Sequence, residues 1–497
     1  MTENVSVVPD LNLQNTFADA LPELHVAWKG AGVPAPEIVA ANISLAAELK
    51  LDPNLLESPE GIEIVAGNAP PTGSHPTAMA YAGHQFGGYS PTLGDGRALL
   101  LGETVDGHGV RRDLHLKGSG RTPFARRGDG KAELAPMLRE YVMAEAMHAL
   151  NIPTTRALSV VATGELVRRE AMVPGGVLLR VAGSHIRVGT FEYAARLEDQ
   201  LVVQRLADYS IQRHFPDIDP ADDGRYLAFL EAVINAQASL VAQWMLVGFI
   251  HGVLNTDNVT IASETIDYGP CAFMDRYDHA TVFSSIDQHG RYAYANQPVI
   301  LTWNLTRLAE TLVRFIDPDK DKAIEILTEK IQGIQSIYET CWLAGMRSKT
   351  GLSTEDPTDR DLINDLLEVM EKGHADFTLV FRRLSQTLRG DSNAVRQLFE
   401  EPVAFDAWAQ RWQKRLEQDG VAAEANAQAM DRVNPIYIPR NHKVEEALSA
   451  AVEQGDMKPF TKMLNVLSHP FEDIQEEEVY SEPPPLSNIP YRTFCGT

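Results

Sequence analysis

The segment HGVLNTDNVTIASETIDYG, residues 251–269, constrains the fold most, because it places a polar loop and a short reversal directly after a long helix. Apolar residues recur at helical spacing over about six turns before it, which predicts a helix with one broad apolar face. VTI and TID flank Ser263 and Glu264 and are typical of two very short strands, so Asp267 should fold back beside Asn258. An amide oxygen and a carboxylate brought together suit Mg²⁺ or Mn²⁺, which makes these two residues candidate metal ligands. The alternative is an ordinary helix-to-strand turn, where Asn and Asp are common.

A glycine-containing turn lies upstream, in SPTLGDGRALLLGE at residues 90–103. It places Gly94, Gly96 and Arg97 just before an apolar strand. Glycine lets a backbone approach phosphates closely, and the neighbouring arginine favours that role. Gly-Asp-Gly is also a common hairpin turn, which is the alternative.

The next predicted strand ends near Lys117, where a side chain could reach a bound phosphate. A helical pattern follows at 131–150 and offers Glu140 as a partner for this lysine. Glu133 and Glu145 lie on the same helix, and spacing does not choose between the three. An exposed, solvated ion pair is the alternative.

The order of these elements along the chain is more specific than any one of them. A glycine turn, a strand lysine, a helix glutamate, a long helix, a His-to-Asn loop and a metal-binding aspartate occur in this order in protein kinases. We therefore predict an α+β, protein-kinase-like fold of two lobes, with an antiparallel-sheet N-lobe and a mostly helical C-lobe.

One position departs from the kinase pattern. Kinases carry the catalytic base two residues after the loop histidine, and here Val253 follows His251 at that spacing. An aliphatic side chain cannot accept a proton from a hydroxyl group, so ordinary phosphoryl transfer is not expected. The nearest carboxylate in the loop is Asp257.

Arginines are concentrated around the predicted nucleotide pocket. Arg180 and Arg187 fall near the link between the lobes, while Arg121, Arg126 and Arg127 follow the lysine. Guanidinium groups bind phosphates through paired hydrogen bonds and are costly to bury without such partners. The cluster favours β- and γ-phosphates deep in the pocket, with the nucleoside outward and the α-phosphorus as electrophile. Surface salt bridges are the alternative for any one arginine.

The length of 497 residues exceeds the roughly 250–300 residues of a single core, so more than one lobe is expected. The predicted regions are an N-terminal extension packed on the core at 1–75, an N-lobe at 76–190, a helical C-lobe at 191–470 and an acidic, proline-rich tail at 471–497. Strands are predicted at 98–103, 113–118, 158–165 and 176–182, and further helical stretches at about 303–346, 359–388, 393–417 and 443–468.

Charge and composition narrow the partners. Lys and Arg number 44 against 68 Asp and Glu, a net charge of −24, which argues against nucleic acid as a general partner. The N-terminus lacks the basic and apolar regions of a signal peptide, and no stretch reaches the ~18 apolar residues of a membrane span. Three scattered cysteines do not form a disulfide framework. We expect a cytoplasmic protein.

Three motifs together resemble the selenoprotein O family of protein adenylyltransferases. They are YAGHQFGGYSPTLGDGRALLLGE, DLHLKGSGRTPFARRGDG and HGVLNTDNVTIASETIDYGPCAFMD, within about residues 75–280, and the similarity continues towards the C-terminus. The resemblance implies a pseudokinase-like fold that binds ATP in a flipped orientation. It also implies transfer of AMP to Ser, Thr or Tyr hydroxyl groups of protein substrates.

The resemblance also implies roles for individual residues. By motif match, the nucleotide contacts are Gly94, Gly96, Arg97, Lys117, Asp129, Gly130, Arg180, Arg187 and Asp267. Asp257 would accept the proton, Glu140 would support Lys117, and Asn258 with Asp267 would hold Mg²⁺ or Mn²⁺. Transfer of UMP, residual kinase activity and a non-catalytic ATP-binding scaffold stay open as alternatives.

The cysteines carry a separate expectation from the same resemblance. Family members often have a selenocysteine near the C-terminus, and Cys495 stands at the matching place. Pairing with Cys271 would tie the tail to the active-site region and make activity sensitive to redox conditions. The residues alone favour free thiols in a reducing cytoplasm. Cys341 lies in a predicted helix and is expected in the core.

Overall fold

The computed structural model describes residues 11–485 and 491–494. Twelve strands run through these residues: β1 His25–Ala27, β2 Glu37–Ala41, β3 Thr77–Met79, β4 Gly83–Gln85, β5 Gly88–Ser90, β6 Ala98–Val105, β7 Arg111–Lys117, β8 Ala132–Glu133, β9 Arg156–Arg168, β10 Met172–Ala182, β11 Phe249–Ile250 and β12 Ala272–Phe273. The helices are α1 Thr16–Ala20, α2 Ile43–Glu48, α3 Pro59–Val65, α4 Leu134–Ala149, α5 Val188–Ala194, α6 Leu201–His214, α7 Arg225–Val247, α8 Gln297–Leu312, α9 Lys320–Thr350, α10 Asp359–Lys372, α11 Phe377–Leu388, α12 Asn393–Arg396, α13 Val403–Asp419, α14 Ala423–Asp431, α15 Asn441–Gln454 and α16 Lys458–Leu467.

An antiparallel sheet forms the N-lobe. Its order is β1-β3-β6-β7-β10-β9-β2, with β8 paired to β10. The four strands predicted from the sequence are its centre, β6, β7, β10 and β9. Their β-branched and aliphatic side chains are largely buried, as expected for strands covered on both faces.

The N-terminal region supplies both edges of this sheet. β1 pairs with β3, and β2 pairs with β9. These strands of three and five residues are too short for a clear alternating pattern, so the sequence indicated only irregular structure there. The predicted boundaries between regions stay predictions.

Helix α4 is the predicted helix of the N-lobe and packs against β9 and β10. It begins at Leu134, three residues later than the sequence pattern suggested. The preceding residues Ala132 and Glu133 pair instead with Gly176 and Gly175. The lysine strand β7 and α4 are thus held by the same sheet.

The C-lobe is helical and is organised around α7, which packs against α8 and α9. Length and composition alone would let α7 cross a membrane, which departs from the expectation that no stretch would qualify. However, 56% of its apolar window is buried inside the protein, and it ends at Gly248 in the left-handed conformation. α7 is therefore a core helix of this lobe.

The other predicted helical stretches are divided into shorter helices, and α5, α6 and α14 were not predicted. α8 and α9 are separated at 313–319, α10 and α11 near Gly373, and α15 and α16 at Gly455. Proline and glycine at such positions interrupt a helix even where the apolar periodicity continues. The breaks turn the chain so that successive helices pack on α7 and on each other.

The two tiny strands expected within residues 251–269 do not form. Thr260 and Thr265 instead make single β-bridges to Arg187 and Thr154. The Thr260 hydroxyl accepts a hydrogen bond from the Glu264 N–H and donates one to its carbonyl group, at 3.0 and 2.7 Å. A side chain thus closes the reversal in place of a ladder, and the chain still folds back towards the loop.

Candidate active site

A single cavity of about 1470 Å³ collects the residues that the sequence singled out. All twelve predicted site residues line it: Gly94, Gly96, Arg97, Lys117, Asp129, Gly130, Glu140, Arg180, Arg187, Asp257, Asn258 and Asp267. They come from β7 and β10, from α4, from the loops before β6 and β8, from the start of α5 and from the loop after α7. The cavity therefore lies where the two lobes meet.

Lys117 is held between two carboxylates. Its Nζ lies 2.6 Å from Glu140 Oε2 and 2.8 Å from Asp267 Oδ1. The two other candidate glutamates have different partners, because Glu133 pairs with an arginine at 3.4 Å and Glu145 with another at 2.7 Å. The structure thus selects Glu140, which the spacing had left open.

Two buried arginines complete the charge cluster around Asp267. Arg180 Nη1 lies 2.7 Å from Asp267 Oδ1, and Arg187 Nη1 lies 3.5 Å from Oδ2. Burial alone would raise the pKa of Asp267, but Lys117 and the two arginines outweigh it and hold the pKa well below its ordinary value. With Glu140 included, the three cations form ion pairs with two carboxylates, while Asp95 and Asp257 also act on Arg187 without a direct ion pair.

Asp257 has a different environment from Asp267. Its Oδ2 accepts a hydrogen bond from Gln85 Nε2 at 2.9 Å, while Oδ1 is buried without a partner among the described residues. Burial raises the pKa of Asp257 to about 6. A Cβ on Gly83 would lie 2.8 Å from Oδ1, so only glycine fits beside this carboxylate. Asp257 is a carboxylate suited to accepting a proton.

Val253 is buried on the wall of the cavity, and its carbonyl group accepts a hydrogen bond from Asn258 Nδ2 at 2.8 Å. This bond fixes the amide so that its oxygen is the atom left for a cation. The Asn258 amide oxygen and the ionised Asp267 carboxylate are hard oxygen donors of the kind that Mg²⁺ and Mn²⁺ prefer. The residues present therefore fit a divalent metal. Another acidic group, Asp278 with His279 and Glu371, is largely exposed and lies outside the cavity lining.

The predicted glycines bring one loop against another. Gly94 and Gly130 have φ of 66° and 75°, and a Cβ at these positions would meet the Phe124 ring at 2.3 Å and Arg121 N at 2.2 Å. The closest neighbour of the glycine turn is therefore the chain's own loop at 118–131. Contact of Gly94 and Gly96 with phosphate stays a prediction.

Asp129 lies at the edge of the cavity. Burial would raise the pKa of Asp129, but hydrogen bonds from Arg169 and from the Lys131 N–H outweigh it and lower the pKa. The corresponding distances are 2.9 Å each. Asp129 is thus an ionised acceptor next to the glycine loop.

Sequence reasoning missed a buried histidine behind Arg180. His115 Nδ1 lies 3.1 Å from Arg180 Nη2, and its Nε2 lies 3.0 Å from Asp95 Oδ2. Burial lowers the pKa of His115, so the neutral ring donates to Asp95 and accepts from Arg180. His115 precedes Lys117 by two positions on β7 and shares its face, which is the sequence signal that could have identified it.

We expect His115→Phe to weaken nucleotide binding by about tenfold, because it removes a hydrogen bond to a charged group that positions Arg180. The phenyl ring keeps the stacking on His185, whose ring centroid is 4.0 Å away. Calorimetric titration with ATP and Mg²⁺ measures the effect. His185→Phe is the matched control, because His185 bonds to Asp113 rather than to Arg180. Equal losses in both variants would contradict a specific role for His115.

The β4–β5 hairpin was also missed. It brings Gln85 to Asp257, and the His84 N–H donates to Thr256 Oγ1 at 2.7 Å. Phe86 and Gly87 both have positive φ, 52° and 83°, as a type I′ turn requires. Gly87, at the second central position, is the one residue of the turn that matches its sequence preference, which makes the signal weak.

The end of the described chain lies against the site. Thr493 forms a parallel β-bridge with Ser284 and donates its hydroxyl to the Pro270 carbonyl group at 2.7 Å. Cys271 is buried and has no disulfide partner among the described residues, and burial raises its pKa to about 12. Cys495 lies outside the described residues, so the Cys271 to Cys495 pairing stays a prediction. Cys341 is partly buried and packs against the main core.

The fold and the site together define a class of protein. A strand lysine paired with a helix glutamate, a carboxylate after the catalytic loop, and a sheet lobe above a helical lobe are the parts of a protein-kinase-like nucleotide site. The loop position of the kinase base is valine, and the nearest acid is Asp257. This is a kinase-like fold with a catalytic loop unlike that of kinases.

The chain belongs to the SelO family, described as protein adenylyltransferase SelO, whose family model matches residues 9–468. It is 54% identical over 489 residues to a protein nucleotidyltransferase YdiU of Mycobacterium sp. (strain KMS), covering 98% of this chain and 100% of the relative. A protein of the same name from Cereibacter sphaeroides (strain ATCC 17029 / ATH 2.4.9) is 56% identical over 485 residues, covering 97% and 99%.

A solved structure, the MAP kinase LmaMPK10 from Leishmania major, matches 75% of this chain and 99% of its own length at 12% identity. Its TM-score of 0.21 adds nothing to the fold assignment, which follows from the topology described above. Membership of the family shows that the chain is a nucleotidyltransferase. Enzymes of this kind use a nucleoside triphosphate, a divalent metal and protein acceptors.

Proposed function

We propose that this enzyme transfers AMP from ATP to Ser, Thr or Tyr hydroxyl groups of proteins, with the triphosphate bound deep and the nucleoside outward. The observation that carries the proposal is the buried cluster of Lys117, Arg180 and Arg187 around Asp267. We also propose a cytoplasmic location, because ATP and the divalent metal are available there.

The orientation of ATP follows from charge. The three cations exceed the two carboxylates they contact, and all three are almost fully buried. Buried guanidinium groups are stabilised by anionic partners that accept paired hydrogen bonds, as phosphates do. The β- and γ-phosphates, which carry most of the charge of ATP, match this region best. The α-phosphorus then lies on the side of the acceptor.

Asp257 is the proton acceptor in the proposed chemistry. As the acceptor hydroxyl attacks the α-phosphorus, its proton passes to Asp257, and a new O–P bond forms. The bond from the α-phosphorus to the bridging oxygen breaks, and pyrophosphate leaves with that electron pair. Lys117, Arg180 and Arg187 stabilise the charge that develops on the leaving group. Mg²⁺ or Mn²⁺, held by Asn258 and Asp267, would neutralise phosphate charge at this site.

Incubation with ATP labelled at either the α- or the γ-phosphate tests the proposal. We expect protein-bound label from α-labelled ATP only, because pyrophosphate carries away the γ-phosphate. Retention of γ-label would indicate a kinase instead, and no retention from either position would indicate an ATP-binding scaffold.

Transfer of UMP is the second candidate, because the relatives carry the general name nucleotidyltransferase rather than that of one nucleotide. Parallel reactions with α-labelled ATP and UTP at equal concentration compare the two. A higher kcat/KM for UTP would overturn the choice of AMP.

A further inference from the structure

Phe86 is an exposed aromatic residue in a strained conformation. It lies at the tip of the β4–β5 hairpin with φ of 52°, a region that bulky residues rarely adopt, and its side chain is 42% exposed. Asn or Gly would suit this turn better. Its N–H donates to Asn255 Oδ1 and Tyr292 Oη, at 3.2 and 3.0 Å, so Asn255 of the 251–269 loop and Tyr292 together hold the residue in place. Strained residues of this kind cluster at active sites and ligand-binding positions.

Phe86 belongs to an apolar part of the cavity mouth. The preceding residue, Gln85, binds Asp257, and Phe86 and Asp257 line the same cavity. The Phe86 ring packs edge-on against Tyr292, with 5.1 Å between the ring centroids. Ile286 and Phe494 line the same cavity and are 52% and 74% exposed. Exposed large apolar side chains that line one concave site are typical of a binding surface. A nucleotide held by buried cations does not require them.

The mouth also carries positive charge. Arg126 and Arg127 line the cavity and are exposed, and neither forms an ion pair with a carboxylate within the described part of the chain. The deeper Arg180 and Arg187, by contrast, both contact Asp267. In a chain of net charge −24, two adjacent arginines of this kind favour an acidic partner.

We infer that Phe86, Ile286 and Phe494 bind the acceptor protein, and that Arg126 and Arg127 select acidic residues in it. The preferred acceptor is an extended segment with a large apolar side chain next to the modified hydroxyl residue and carboxylates nearby. This inference rests on the proposed function, because it describes the acceptor of the same site.

Two synthetic peptides with one Ser each provide the first test. In one peptide Leu and Glu flank the Ser, and in the other Ala and Lys do. With α-labelled ATP and Mg²⁺, we expect kcat/KM for the first peptide to be at least about tenfold higher, since burying one large apolar side chain supplies that much. If the two peptides are labelled equally and proteins in the same reaction are also labelled, this inference is overturned but the proposed function is not. Absence of label from peptides and proteins alike would remove the proposed function as well.

Phe86→Asn separates binding from folding. Asparagine tolerates positive φ, so the hairpin and the melting temperature should be preserved while the aromatic ring is lost. We expect KM for the Leu/Glu peptide to rise about tenfold with the Kd for ATP unchanged. Val403→Asn is the matched control, since Val403 is 75% exposed at the start of α13 and lies outside the cavity lining. Equal KM values for Phe86→Asn and the control would contradict the role of Phe86.

The charge selection has its own variant, Arg126→Glu combined with Arg127→Glu. We expect the preference to shift at least tenfold towards the Lys-flanked peptide, by reversal of the local charge. If the variant instead raises the Kd for ATP and keeps the peptide preference, the two arginines bind the nucleotide, and their assigned role is wrong.

Discussion

Asp267→Asn is expected to abolish metal-dependent nucleotide transfer, with a loss of at least about a thousandfold. Asp267 is the carboxylate that Lys117, Arg180 and Arg187 all contact, and it is a proposed metal ligand. Its φ of 60° suits asparagine, so the backbone should tolerate the change. Without the negative charge, Lys117 and Arg180 share Glu140 alone and Arg187 loses its ion pair, which is expected to destabilise the fold by about 3–5 kcal/mol. Transfer of α-label at saturating ATP, with and without Mg²⁺, measures the effect.

The metal role of Asp267 can be separated from its structural role. With EDTA present, the variant should bind ATP at least as well as the unmodified enzyme, because the carboxylate no longer repels the phosphates. Asp278→Asn is the matched control, since it removes a carboxylate from the exposed acidic group outside the cavity lining. Metal-dependent transfer that survives in Asp267→Asn but falls in the control would move the metal to that other group.

The arrangement of the two lobes could be predicted because the motifs occur along the chain in the order that a kinase-like fold requires. The central strands and the long helix have strong apolar periodicity, and the motifs between them fix which end of each element faces the cavity. The edges β1 and β2 could not be predicted, because three to five residues give no usable alternation. Pairing partners from distant parts of the chain determine such strands.

In the site, too, local sequence predicted some features, while others depend on distant parts of the chain. Spacing placed Glu140 on the right helix but could not separate it from Glu133 and Glu145. The choice depends on Arg169 and Arg156, which occupy those two glutamates from other parts of the fold. Short motifs specify positions along one element, whereas ion pairs across elements depend on the tertiary structure.

Residues that act through another side chain were the hardest to find. Gln85 holds Asp257, and His115 holds Arg180, but neither belongs to a kinase motif. The sequence also suggested a strand hairpin before Asp267, where a threonine hydroxyl closes the turn instead. In each case a side-chain hydrogen bond fixes the local structure, whereas the sequence pattern pointed to a backbone ladder or to a motif residue.

Asp257→Asn is expected to lower kcat by about 10²–10⁴-fold while leaving the Kd for ATP within twofold, because an amide cannot accept the acceptor's proton. The side chain keeps its size, and the contact with Gln85 can be kept through the amide oxygen, so the fold should be preserved. Gln85→Met is the companion variant: it keeps Asp257 but removes the hydrogen bond to Oδ2 at 2.9 Å, and a smaller loss is expected. Single-turnover transfer of α-label, with ATP binding measured separately, distinguishes the two variants. If Asp257→Asn retains kcat, the proton leaves by another route, and Val253 with Asp257 no longer explains how this loop differs from that of a kinase.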